Sequence, residues 1–139
     1  MADGVLFLCV ANSSRSQMAE GIARALLPDR PVLSAGSEPT QVNPYAVRAM
    51  AELGIDLDSH ASTAIADVPR DAVSLVVTLC AEEVCPVFPA QVETHHWPFS
   101  DPAAVAGDDE TKLAAFREVR DQIRSKLELW FDRQLLPPA

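Results

Sequence analysis

A cysteine and an arginine, Cys9 and Arg15, stand at the two ends of CVANSSR, with five small residues between them. A loop of that length between a strand and a helix can turn the backbone N–H groups of Val10, Ala11, Asn12, Ser13 and Ser14 toward one point, forming an anion nest. The helix that follows adds partial positive charge and unpaired donors at its N-terminus. Arg15 contributes a planar fork matched to two oxygens of a tetrahedral oxyanion. The same surroundings favour thiolate over thiol at Cys9, making it a nucleophile beneath an oxyanion site. Ser16 is placed to donate a hydrogen bond to that sulfur, and Asn12 to brace the loop.

Displacement at an oxyanion centre also needs a group that protonates what leaves. Asp101, in the stretch SDPAA, is the candidate. An Asp-Pro pair alone reads as a turn; beside a nucleophile and an anion cradle it reads as the acid. Two further cysteines, Cys80 and Cys85, follow an apolar run. Three cysteines in a reducing compartment cannot all pair as structural disulfides, which points to catalytic or redox use.

The elements that would position these residues can be read along the chain. Val5–Leu8 is a short continuous apolar run, as in a strand buried on both faces. Met18, Ile22 and Leu26 then recur at helical spacing, with an end near Pro28. Val32–Ala35 reads as a strand closed by Gly36. A second helix has Asn43 as its N-cap, Pro44 at its first position, Val47, Met50 and Ala51 inward, and Gly54 after its end. The polar stretch around His60, Ser62 and Thr63 reads as loop with a short helix. Val73–Leu79 is a third strand, running straight into Cys80, and Thr94–Trp97 a fourth. Leu113, Phe116, Val119, Ile123, Leu127 and Trp130 mark a long amphipathic helix, and the tail Leu135–Ala139 ends it. Strands alternating with helices imply a parallel sheet covered on both faces, an α/β/α sandwich. Ligands in such sheets bind beyond the carboxyl ends of strands, where Cys9, Cys80 and Asp101 all fall.

The 139 residues suit one domain, 1–139, with one substantial core. Eleven basic against 20 acidic residues give a net charge of −9, which argues against nucleic acid and anionic membranes as partners. No apolar stretch approaches the ~20 residues that span a bilayer. Met1–Gly4 leads directly into a strand, leaving no room for a secretory signal, so a cytoplasmic location is expected.

FLCVANSSRSQMAEG, the SAG at Ser34–Gly36 and the late Asp-Pro together resemble the low-molecular-weight protein tyrosine phosphatase fold, in order and over nearly the whole chain. Within that fold, VVTLCAEEVCP resembles the arsenate reductases recycled by thioredoxin, whose mark is a second and third cysteine after the third strand. The resemblance implies a three-layer sandwich around a four-stranded parallel sheet and a detoxifying reduction of arsenate. In that reaction Cys9 attacks arsenate, Cys80 attacks Cys9, and Cys85 attacks Cys80. Arg15 and Ser16 complete the catalytic set, and Asp101 serves as the acid. A helix begun over residues 81–84 would set the Cα atoms of Cys80 and Cys85 about 8–9 Å apart. A disulfide needs roughly 4.4–6.8 Å, so oxidation would unwind this segment.

The sequence departs from the resemblance in two places. Only four residues separate Cys80 from Cys85, fewer than in the reductases it resembles. That departure leaves two reductants open: thioredoxin, which the resemblance implies, and glutaredoxin with a low-molecular-weight thiol. Related reductases also hold potassium near the cradle with an Asn, a Glu, a Ser and an Asp. Asn12, Glu20 and Ser34 match three of these, but Thr63 stands at the fourth, so potassium dependence is expected to be weakened or absent.

Two other functions compete with this one. The phosphatases resembled here carry two tyrosines after the Asp-Pro, as walls for an aryl ring. Ala103 and Ala104 stand there, and the only tyrosine is Tyr45. A metal module of Cys80, Cys85 and one of His95 or His96 has zinc-compatible cysteine spacing. Adjacent strand residues point to opposite faces, so only one histidine could join, and no metal is expected. The chain is expected to act as a monomer.

Overall fold

The computed structural model describes residues 3–81 and 86–131. Seven regular elements follow in order: β1 (Gly4–Cys9), α1 (Arg15–Leu26), β2 (Val32–Gly36), α2 (Pro44–Ala51), β3 (Val73–Thr78), β4 (Glu93–His96) and α3 (Asp109–Trp130). The four strands form one parallel sheet in the order β2-β1-β3-β4. The chain leaves β1 for β2 on one side and returns to β3 on the other. That reversal opens a crevice at the carboxyl end of β1, the usual ligand position in such sheets. Cys9 is the last residue of that strand.

Every residue of β1 is buried, which explains its unbroken apolar run, whereas β4 lies at the sheet edge and is largely exposed. One face of the sheet, with Val5, Phe7, Leu75, Val77 and Leu79, packs against α1, α2 and α3. The other face, with Leu6, Leu8, Ala35 and Val76, is covered by Ile65, Val68, Phe88 and their neighbours. The α/β/α class holds. Among the described residues the second outer layer is thin, built from short 3-10 turns at Ile65–Asp67 and Arg70–Ala72 and from the segment around Phe88.

Local signals placed the helices well. Asn43 caps α2, its side chain accepting from the Tyr45 N–H at 2.9 Å, and Asp108 caps α3 by accepting from the Thr111 N–H at 2.8 Å. Which side of each shorter helix faces inward came out differently. In α2 the buried residues are Ala46, Ala49 and Met50, with Val47 half-buried and Ala51 exposed. The two alanines let α2 lie close on α3, where Arg120 donates to the Ala49 carbonyl at 2.8 Å. In α1, Met18 and Ile22 are buried but Leu26 is exposed, and Leu27, just past the helix, enters the core instead. The α2–α3 seam is closed by Glu52, which accepts from Arg117 and Arg120. Those guanidinium groups lower the Glu52 carboxyl from 4.5 to about 2. Of residues 81–84 between Cys80 and Cys85, expected to begin a helix, 82–84 lie outside the described residues, as does the tail. No helix among the described residues is long and apolar enough to cross a membrane.

Candidate active site

The loop from β1 to α1 wraps a cavity of about 240 Å³ lined by Cys9, Val10, Ala11, Ser13, Ser14, Arg15 and Asp101. Its carbonyls are held from outside. Val10, Ala11 and Ser13 accept from the N–H groups of Glu38, Thr40 and Asn43 at 2.9, 3.2 and 2.9 Å. The Asn12 carbonyl accepts from Ser62 Oγ at 2.7 Å and Gln17 Nε2 at 3.2 Å. In a trans peptide the N–H points opposite to the C=O. Holding the carbonyls outward therefore turns the N–H groups of the same peptides inward, to where an anion would sit. Ser14, the N-cap of α1, makes no side-chain capping bond, and no acidic residue occupies the first turn. The helix N-terminus is thus left to a ligand.

Asn12 makes the loop's sharpest turn, with φ of 49°, a left-handed conformation that asparagine tolerates. Its side chain is fixed in orientation. Oδ1 accepts from the Thr63 N–H at 2.8 Å and from Gln17 Nε2 at 3.1 Å, so Nδ2 faces Ser16 Oγ at 2.8 Å. Ser16 Oγ accepts that bond, and its own hydrogen is left for Cys9 Sγ, 2.8 Å away. Gln17 is aligned in turn by donating to Asn12 and to the Ala61 carbonyl, which leaves its Oε1 3.0 Å from His60 Nδ1. Nothing in the sequence marks Gln17 and His60 for this role, because their contacts join segments more than 40 residues apart and leave no local pattern.

Cys9 is paired in register with Gly36 of β2. A Cβ at Gly36 would stand 2.3 Å from the Val10 carbonyl oxygen and 2.9 Å from both Asn12 N and the Cys9 carbonyl oxygen. Only glycine allows the cradle to cross here. On the opposite side of β1, the Leu79 N–H donates to the Leu8 carbonyl at 2.9 Å, which sets the buried Cys80 at the carboxyl end of the neighbouring strand. Cys85 lies outside the described residues.

Arg15 is buried, and Nη1 donates to the carbonyls of Phe99 at 2.9 Å and Leu79 at 3.4 Å. Its Nη2 stands 3.8 Å from Asp101 Oδ2. Asp101 both makes a turn and lines the cavity. Oδ1 accepts from the Ala103 N–H at 2.9 Å, the expected Asp-Pro turn, while the residue also lines the cavity beside the arginine. Ala103 and Ala104 are exposed, and among the described residues no aromatic side chain lines the cavity. Tyr45 stacks on Phe116 and donates to Asp109 instead.

The residues matched to a potassium site are only partly gathered, and their oxygens have other partners. Glu20 is nearly buried. Its Oε1 accepts from Ser34 Oγ at 2.5 Å, and its Oε2 lies 2.8 Å from Arg24 Nη2 and 3.6 Å from His60 Nδ1. Both oxygens of Asn12 already accept hydrogen bonds. Thr63 is half-buried at best and turns its hydroxyl toward the Ala61 carbonyl at 3.5 Å. His95 and His96 serve the sheet edge: His95 meets Glu93 at 2.7 Å and the Trp130 ring, and His96 meets Thr78 Oγ1 at 2.7 Å.

Residues 4–136 match the family described as low molecular weight phosphotyrosine protein phosphatase. An arsenate reductase of Halalkalibacterium halodurans is 48% identical over 127 residues, covering 89% of this chain and 91% of that protein. An arsenate reductase of Bacillus subtilis is 48% identical over 128 residues, with the same coverage of 89% and 91%. A solved structure described as an arsenate reductase in the phosphate binding state superposes with a TM-score of 0.79 at 34% identity, covering 94% of this chain and 98% of that one. A thioredoxin-dependent arsenate reductase of Corynebacterium glutamicum gives a TM-score of 0.62 at 27% identity, covering 96% of this chain and 63% of that one.

Proposed function

This chain belongs to the low molecular weight phosphotyrosine protein phosphatase family, and we propose that within it the chain reduces arsenate to arsenite. The observation that carries this reading is the cavity. Cys9, Arg15 and Asp101 meet on it without an aromatic wall, in a chain whose relatives are named arsenate reductases.

Arsenate enters as an oxyanion and is met by the cradle N–H groups and Arg15 Nη2. The Cys9 thiolate, held by the Ser16 hydroxyl, attacks arsenic; a sulfur–arsenic bond forms, an arsenic–oxygen bond breaks, and the hydroxyl it carried leaves as water after taking a proton from Asp101. The Cys80 thiolate then attacks Cys9 Sγ. The Cys9–Cys80 disulfide forms, the electron pair of the sulfur–arsenic bond passes to arsenic, and arsenite departs two electrons richer. Cys85 attacks Cys80 Sγ, moving the disulfide to Cys80–Cys85 and freeing Cys9. An external dithiol supplies two electrons to close the cycle, and thioredoxin is the partner proposed. A reducing cytoplasm suits this relay, and the chain acts as a monomer.

The phosphatase reading shares the cradle, thiolate and acid, but Ala103 and Ala104 offer an aryl ring no wall. Slow hydrolysis of p-nitrophenyl phosphate is expected, and phosphotyrosine peptides should be poor substrates. The deciding experiment is arsenate-dependent NADPH oxidation with thioredoxin and thioredoxin reductase, beside glutathione and glutaredoxin. Turnover with the thioredoxin pair is expected. Efficient peptide dephosphorylation without arsenate reduction would overturn the reading.

A further inference from the structure

Glu20 places a carboxylate on α1, one turn past the cradle and nearly out of water. A buried charge of this kind needs a partner. A potassium ion would have to be wrapped by oxygens that replace its water shell. Here Ser34 and Arg24 donate to the two Glu20 oxygens, and no carboxylate stands at Thr63 to bring a second negative charge.

We infer that this chain carries its own cation where its resemblance expects potassium, and that the cation is the guanidinium of Arg24. Arg24 lies four residues after Glu20 on α1, the spacing at which helical side chains meet. Its Nη2 also donates to the Val32 carbonyl at 3.0 Å, so the group ties α1 to β2 as well as neutralising Glu20. Ser34 and Gly36 follow on the same strand, and Gly36 is the backbone against which the cradle crosses. Arg24 is therefore a positioning residue. It holds the α1–β2 seam on which the loop from Cys9 to Arg15 rests, with a charge present at fixed stoichiometry that depends on no particular ion of the medium, although the Arg24 side chain is half exposed and the pair is screened by salt.

The kinetic arm of the test rests on the arsenate reading; the melting arm does not. The reduced full-length protein, without arsenate, is melted in potassium, sodium and choline chloride at equal ionic strength. The wild type should melt at the same temperature in all three. Arg24→Gln should melt about 2–4 °C lower and raise the KM for arsenate more than it lowers kcat, with Arg24→Lys recovering both. A potassium-specific rise in the melting temperature of the wild type overturns the inference. So does an Arg24→Gln protein that melts and turns over like the wild type. Should Arg24→Gln fail to fold, the wild-type comparison across the three salts decides. If arsenate is not reduced at all, the functional reading fails while the melting comparison still judges Arg24.

Discussion

Removing the Ser16 hydroxyl tests the hydrogen-bond directions worked out around the cradle. The Thr63 N–H fixes Asn12 Oδ1, Asn12 Nδ2 therefore donates to Ser16 Oγ, and the only hydrogen of Ser16 is left for Cys9 Sγ at 2.8 Å. A hydrogen bond to a charged group contributes about 1.5–3 kcal/mol. At about 1.4 kcal/mol per factor of ten, Ser16→Ala should slow thiolate attack about 10- to 150-fold. The substitution also strips Asn12 Nδ2 of its acceptor, so its melting temperature must be measured alongside. The assay is a single turnover with excess enzyme, quenched on the millisecond scale and analysed for the arsenic adduct of Cys9. Later disulfide exchange, which does not pass through Ser16, should keep its rate. If Ser16→Ala forms the adduct at nearly the wild-type rate while folded, Ser16 is not the donor and the directional reasoning is wrong.

Gly36→Ala should damage stability and activity together. The new methyl meets backbone atoms that cannot swing away, at a cost of about 1–3 kcal/mol in urea unfolding; a fully active, equally stable variant would show that the crossing tolerates a side chain. Asp101→Asn keeps the turn but removes the proton, so adduct formation should fall about 10²–10⁴-fold with thiol exchange intact. An unchanged chemical step would leave Asp101 as a turn residue only. Glu52, lowered to about 2 by Arg117 and Arg120, adds stability that is complete above its ordinary value of 4.5 and is lost as pH falls from 4.5 toward 2. Glu52→Gln should therefore show a flatter loss of melting temperature across that window, and an identical pH profile would contradict the seam's role.

What could be read from the sequence was what is encoded locally. The cradle is a contiguous run, so its cysteine, arginine and flanking elements were visible before any fold was known. Asn43 acts on an N–H two residues away and Pro44 fits the first helical position, so the start of α2 was visible too; the Asp108 cap of α3 is equally local but was not read. The inward face of α2 was less accessible, because apolarity favoured Val47, whereas close packing on α3 selected the small Ala46 and Ala49. Gln17 and His60 carry no signal in their own neighbourhood; they matter because the segment around Ala61 folds back over the cradle. The Arg24–Glu20 pair is local and was available, but its meaning depends on Ser34 arriving from β2.

The central claim is that Cys9 takes the arsenic and that Cys80 releases it. It is tested most directly by mixing reduced Cys85→Ser protein with arsenate, without external reductant, and following arsenite release and the intact mass. One equivalent of arsenite should appear, and peptide mapping should find a Cys9–Cys80 disulfide that does not turn over. Arsenite release without that disulfide, or arsenate reduction by Cys9→Ser protein, would contradict the account.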